Sequence, residues 1–88
     1  MKREDLNKLV SDLLFKKREI EVQIKVNEDR IRACMKSANE STTEEKRSMW
    51  EDEIKGYKER NRFLGYELVN TQKEISDLLD KEENENDQ

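Results

Sequence analysis

The sequence predicts an all-α protein in which two long helices form an antiparallel coiled-coil hairpin. Three observations support this prediction. Of 88 residues, 45% are charged and 32% are hydrophobic, with two glycines and no proline. This composition is too polar for a compact core of ordinary size, but it is typical of long helices and coiled coils. Apolar residues also recur at every third or fourth position, and a single polar stretch near the middle of the chain interrupts that rhythm.

The first helix is predicted over residues 3–38. Its apolar side chains alternate in steps of three and four residues, which places them on one stripe of the helix, called the seam below. Eight of the ten seam residues are apolar, and a repeat held this long predicts coiled-coil packing rather than one face of a globular helix. The seam residues of this helix are Leu6, Val10, Leu13, Lys17, Ile20, Ile24, Asn27, Ile31, Cys34 and Ala38.

The second helix is predicted over residues 43–82, after a turn at residues 39–43. Ser41 followed by Glu44, and Thr42 followed by Glu45, both fit a capping box at the start of this helix. The same spacing rule gives it nine seam residues, seven of them apolar: Trp50, Ile54, Tyr57, Asn61, Leu64, Leu68, Thr71, Ile75 and Leu78. Residues 1–82 thus form the predicted hairpin, and the acidic tail at residues 83–88 is expected to be disordered.

The register of the hairpin is predicted from the asparagines on the two seams. If the numbers of facing residues add up to 88, Asn27 faces Asn61, the polar Lys17 faces the polar Thr71, and the other facing seam residues pair apolar with apolar. A slide by one heptad would leave each amide opposite an isoleucine, at about 1–3 kcal/mol for each unpaired group. We therefore interpret Asn27 and Asn61 as a register key. A long antiparallel dimer, a parallel dimer and a four-helix assembly of two hairpins remain open as alternatives.

The residue types present argue against catalysis and against a bound cofactor or metal. The chain has no histidine, one cysteine and no glycine-rich phosphate loop, so the usual nucleophile pairs and zinc sites cannot be assembled. No apolar run reaches the length of a signal-peptide core or a membrane span. We expect a non-enzymatic, intracellular, cytoplasmic protein without membrane insertion.

Two groups of residues outside the seam are candidate contact sites. A second apolar stripe is predicted to form a partner face for another protein or for a second copy of the chain, and it consists of Phe15, Val22, Val26, Phe63 and Tyr66. A basic line on the first helix consists of Arg18, Lys25, Arg32 and Lys36. Without interleaved aromatic residues for base stacking, we interpret this line as a solvated face with local ion pairs rather than as a nucleic-acid site.

The segments IEVQIKVNEDRIRAC, with Ile20, Ile24, Val26 and Ile31, and RNRFLGYEL, with Arg62, Phe63, Leu64 and Leu68, resemble one known family. They are similar to the Rho-binding antiparallel coiled coils of the HR1 class, in the form seen in anillin and rhotekin. The resemblance covers roughly residues 20–74. It implies that one face of the hairpin binds a GTP-loaded Rho-type GTPase.

The predicted function is that of a coiled-coil module for protein–protein interaction, either an assembly subunit or an adaptor. A small-GTPase-binding hairpin is the first alternative. The second is a small acidic regulator, such as a phage-type inhibitor that covers the basic surface of a host protein. That alternative depends on the net charge of −4, which is concentrated in the last nine residues.

Overall fold

The computed structural model describes the backbone of residues 2–86 and the side chains of residues 2–83. Two helices, α1 (Arg3–Glu40) and α2 (Glu44–Asn86), make up 95% of this part of the chain. They pack side by side into a rod with extents of 68 × 15 × 13 Å. The radius of gyration is 19.7 Å, whereas a compact chain of this length would have about 12 Å. The predicted all-α fold of two long helices is confirmed.

The turn between the helices is shorter than predicted and is capped by different hydroxyl groups. Helix α1 continues to Glu40, two residues further than expected, and α2 begins at Glu44. The backbone N–H of Lys46 donates to the hydroxyl oxygen of Thr43 at 3.3 Å, so Thr43 is the N-cap of α2. The Ser41 hydroxyl instead donates to the Ser37 carbonyl oxygen at 2.8 Å, at the end of α1. The capping boxes predicted at Ser41 and Thr42 are therefore wrong.

The acidic tail differs from the prediction in its described part. Helix α2 continues through residues 83–86 to Asn86, where disorder was expected from residue 83. The physical reason is that two of these four residues are glutamates, which are good helix formers, and that the segment contains neither proline nor glycine, the strongest helix breakers. Residues 87 and 88 of the predicted tail lie outside the described residues.

The core of the hairpin is a single narrow seam. All the residues predicted for the seam are buried or half-buried in both helices. Five apolar and two polar residues are buried, namely Leu6, Ile20, Cys34, Ala38, Ile75, Asn27 and Thr71. Because apolar residues are concentrated on this stripe, neither helix has, over the described residues, a stretch long and apolar enough to cross a membrane.

The amides of Asn27 and Asn61 meet inside the seam in the predicted register. Asn27 is 5% exposed, and its Nδ2 donates to Oδ1 of Asn61 at 2.9 Å. Nδ2 of Asn61 donates in turn to the carbonyl oxygen of Ile24 at 3.3 Å. At the free ends of the helices, Arg3 Nε lies 3.8 Å from Glu82 Oε1. The chain therefore closes on itself as an antiparallel hairpin, with the two amides as each other's partners.

The seam position of Lys17 is accommodated without burying its charge. Thr71 on the other helix is 1% exposed and fills the space at this level. The Lys17 ammonium turns outward and lies 3.9 Å from Glu21 Oε1. Only the aliphatic part of the lysine has to pack against the seam, as long basic side chains commonly do.

Replacing both asparagines with leucine, in Asn27→Leu/Asn61→Leu, should raise the free energy of unfolding and weaken the choice of register. Exchanging two paired amides for apolar groups leaves no unsatisfied atom and buries more apolar surface. Urea unfolding measures the first effect. Disulfide trapping measures the second, because Ile54→Cys would face Cys34 in the observed register and Arg47→Cys would face it only after a slide of one heptad.

With the native asparagines, oxidation should cross-link Cys34 to position 54 and not to position 47. In the double leucine background both cross-links should form. A double variant that gains no stability and still cross-links only at position 54 would contradict the role of the amides as a register key.

Candidate protein-interaction site

Ten large apolar side chains of the described part of the chain are exposed on the outside of the hairpin, and five of the seven that are more than half exposed lie in one section of its length. Residues of the two helices are said here to lie at the same level when their numbers add up to about 88, as they do for Asn27 and Asn61. On α1, Phe15 and Val22 are 65% and 52% exposed. On α2, Phe63, Tyr66 and Val69 are 60%, 59% and 67% exposed. All five fall within levels 15 to 25 of α1.

These residues form two patches on opposite sides of the hairpin. Phe15 lies midway between the seam residues Leu13 and Lys17, and two residues along a helix turn a side chain by about 200°. It therefore points away from α2, and Val22 occupies the equivalent place one heptad later. Tyr66 lies midway between two seam residues of α2 and points away from α1 for the same reason.

The predicted partner face is thus divided between the two helices. The helix-1 patch consists of Phe15, Val22 and the half-buried Val26; the helix-2 patch consists of Phe63, Tyr66 and Val69. Val69 was not among the residues predicted from the sequence, although it follows Tyr66 by three residues and so continues that surface of the helix. A shallow hollow on the helix-1 patch is lined by Phe15, Arg18, Glu19, Val22 and Gln23, all from α1.

The predicted basic line is partly neutralised within its own helix. Lys25 Nζ lies 3.5 Å and Arg32 Nη2 lies 3.1 Å from the same Oδ1 of Asp29. Arg18 and Lys36 have no carboxylate within 4.0 Å among the described side chains. The line is exposed and contains a local ion-pair group at its centre, which lowers the field it presents to a phosphate backbone.

A pair of arginines that the sequence analysis missed stands on one side of the seam. The guanidinium carbons of Arg30 and Arg60 lie 5.8 Å and 5.3 Å from the centre of the Tyr57 ring. Neither arginine has an acidic residue three or four positions away, whereas Arg62 pairs with Glu59 at 2.7 Å. The lack of a neighbouring acid in the same helix can be read from the sequence, and it could have identified Arg30 and Arg60 as arginines without a local ion pair. Gly56 leaves the adjacent recess open, since a Cβ there would meet nothing within 4 Å.

Cys34 is a buried seam residue beside a carboxylate. It is 7% exposed, and its thiol lies 3.8 Å from Oε2 of Glu53 as a weak donor. Burial raises the pKa of the thiol, and the charge of Glu53 and this contact raise it further. Less of the thiol is therefore ionised at a given pH, which makes it a poor nucleophile and metal ligand. Over the described residues, no group of three or more candidate ligands is placed to hold a metal ion.

Comparison of the chain with family models, with curated proteins and with solved structures finds no match. The site must therefore be interpreted from its own geometry. That geometry consists of a closed hairpin with an apolar patch on each outer side and an arginine pair beside the Tyr57 ring.

Alkylation of Cys34 by iodoacetamide should be slower in the folded protein than in the urea-unfolded chain, because both burial and the raised pKa reduce the reactive thiolate. Glu53→Gln removes a negative charge beside the sulfur, so the pKa should fall and the rate should rise at any pH below it. Glu51→Gln is the matched control, since its carboxylate makes no contact with the thiol. Equal rates for the two variants would contradict this account of the Cys34 environment.

Proposed function

We propose that the chain is a non-enzymatic coiled-coil module that acts by protein–protein contact, as an assembly subunit or an adaptor in the cytoplasm. One observation supports the proposal most directly. The seam is complete within the chain, yet five large apolar side chains in one section of the rod are more than half exposed. These residues do not serve the packing of the hairpin, so their concentration at one level favours a surface that another molecule covers.

The size of the exposed groups is consistent with a binding role. Aromatic residues are the usual anchors of protein interfaces, because one ring removes a large area from water while few bonds lose their rotation. Fully burying one such side chain contributes about 1.5–3 kcal/mol. Phe15 on one side of the hairpin, and Phe63 with Tyr66 on the other, each provide the apolar centre of a contact surface, and the ion pairs beside them provide a polar rim.

A Rho-type GTPase is the second candidate for the partner. The resemblance to the HR1 class covers roughly residues 20–74, and an antiparallel hairpin is the fold that it implies. This section of the chain includes all of the helix-2 patch and most of the helix-1 patch. The proposal that the GTP-loaded form is recognised rests on the resemblance alone.

The double variant Phe15→Glu/Phe63→Glu should lose association while keeping its helices. Both side chains are at least 60% exposed, so the substitution removes no core contact and glutamate is a good helix former. Circular dichroism and thermal unfolding should match the wild type. Light scattering should show loss of self-association, and the immobilised variant should lose any protein that the wild-type hairpin retains.

Met49→Glu is the control, because Met49 is 66% exposed but lies near the turn, far from the two patches. Its association should equal that of the wild type. A Phe15/Phe63 variant that unfolds would show that these side chains belong to the core. A folded variant with undiminished association would contradict the proposed contact surface.

Immobilised hairpin should retain a Rho-type GTPase loaded with a non-hydrolysable GTP analogue, and not the GDP-loaded form, if the second candidate is correct. The Phe15→Glu/Phe63→Glu variant should release it and Met49→Glu should not. Equal retention of both nucleotide forms, or of neither, would remove the GTPase from consideration.

A further inference from the structure

We propose that the helix-1 patch and the helix-2 patch are the two halves of a single contact between copies of this chain. In this arrangement α1 of one hairpin packs its outer side against the outer side of α2 of the next. Hairpins then line up side by side in a ring or a filament. The inference rests on the proposed function, since it identifies the partner as a second copy.

The levels of the two patches support this pairing. Val22 lies at the level of Tyr66, and Val26 lies one residue from the level of Phe63. A neighbouring hairpin placed alongside at the same height, in the same orientation, therefore sets Val22 against Tyr66 and Val26 against Phe63 without any axial shift. Phe15 lies at the level of Lys73, whose aliphatic chain can pack against the ring. The two helices that meet run antiparallel, as they do within the hairpin, so the contact repeats a packing geometry that the chain already uses.

The positions of the patches on opposite sides of the rod favour a head-to-tail contact over a two-fold one. A two-fold dimer pairs a surface with itself, so it would cover the helix-1 patch or the helix-2 patch and leave the other exposed. A contact between unlike patches covers both in every copy except at the two ends of an open array. It is thus the arrangement that buries all five exposed side chains of the two patches.

The carboxylates of Asp29 and Glu59 beside the patches are paired within their own helices, so the same alignment brings neither of them into the contact as an isolated charge. Asp29 binds both Lys25 and Arg32, which leaves one positive charge in excess on the outer side of α1. Glu59, paired with Arg62 on α2, lies at the level of Asp29. In the side-by-side contact Glu59 lies opposite Asp29. Each of these carboxylates stays paired with basic residues of its own helix, which limits the repulsion between the two.

The area available matches the apolar centre of a modest interface. Phe15, Phe63 and Tyr66 expose between 59% and 65% of their surface, which for aromatic side chains amounts to roughly 300–450 Å² in all. A stable interface buries about 1,200–2,000 Å² in total, with a polar rim around its apolar centre. The contact should therefore be reversible and depend on protein concentration.

Two variants test the pairing of unlike patches. Phe15→Glu/Val22→Glu disables the helix-1 patch, and Phe63→Glu/Tyr66→Glu disables the helix-2 patch. The wild type should exceed 10.6 kDa in light scattering, with a mass that rises with concentration. Each variant alone should be a folded monomer. An equimolar mixture should form a dimer of twice the chain mass, because each variant retains the patch that the other needs.

Three results would overturn the inference. The first is a wild type that stays monomeric at every concentration. The second is association of one variant by itself, which indicates a two-fold contact through its intact patch. The third is a mixture that remains monomeric although the wild type assembles. Met49→Glu again controls for the added charge. A monomeric wild type leaves the proposed function to be decided separately, by retention of another protein on the wild-type hairpin and its loss with Phe15→Glu/Phe63→Glu.

Discussion

The hydrogen bond between Asn27 and Asn61 is the contact on which the arrangement of the hairpin depends, because it distinguishes one register from its neighbours. Apolar seam residues pair almost equally well after a slide of one heptad, so burial alone selects poorly between alignments. A misplaced amide, by contrast, would lose its partner in a site that is 5% exposed. The same bond fixes which outer residues of the two helices share a level. The geometry of the outer surface therefore follows from a polar contact inside the seam.

Because the buried seam is narrow, most residues on the outside of the two helices are not needed for packing the hairpin. Among the described side chains five apolar and two polar residues are buried, and nearly every other position is solvated on at least one side. Charges on such a rod interact mainly with close neighbours in their own helix, as Asp29 does with Lys25 and Arg32. Even Arg30 and Arg60, which have like charges and belong to different helices, both lie close to the Tyr57 ring, at 5.8 Å and 5.3 Å from its centre. The outer surface is thus only weakly constrained by folding.

The sequence predicted the seam and its register well, because both depend on the order of apolar and amide residues alone. It predicted the helix ends less well. Three consecutive hydroxyl residues, at positions 41–43, could each cap α2. The structure shows that Thr43 is the N-cap, whereas the Ser41 hydroxyl donates to a carbonyl oxygen at the end of α1. The sequence correctly predicted that Val22 and Tyr66 lie at the same level of the hairpin. A shared level does not show, however, that the two residues lie on opposite sides of the rod. Contacts across the seam, such as that of Cys34 with Glu53, likewise needed the fold.

The division of the apolar surface connects the register to assembly. If the hairpin slipped by one heptad, the helix-2 patch would move by about 10 Å relative to the helix-1 patch. Tyr66 would then lie at the level of Phe15 rather than of Val22. An unshifted neighbour would then set Tyr66 against Phe15 but leave Val22 and Val26 without apolar partners. Restoring the contacts of these valines would need a shift along the rod axis, and the shift would accumulate from copy to copy. The pairing of Asn27 with Asn61 reduces the stability of a single hairpin. Because it fixes the levels of the two patches, it would also keep neighbouring hairpins aligned through the proposed contact, although neither asparagine takes part in that contact.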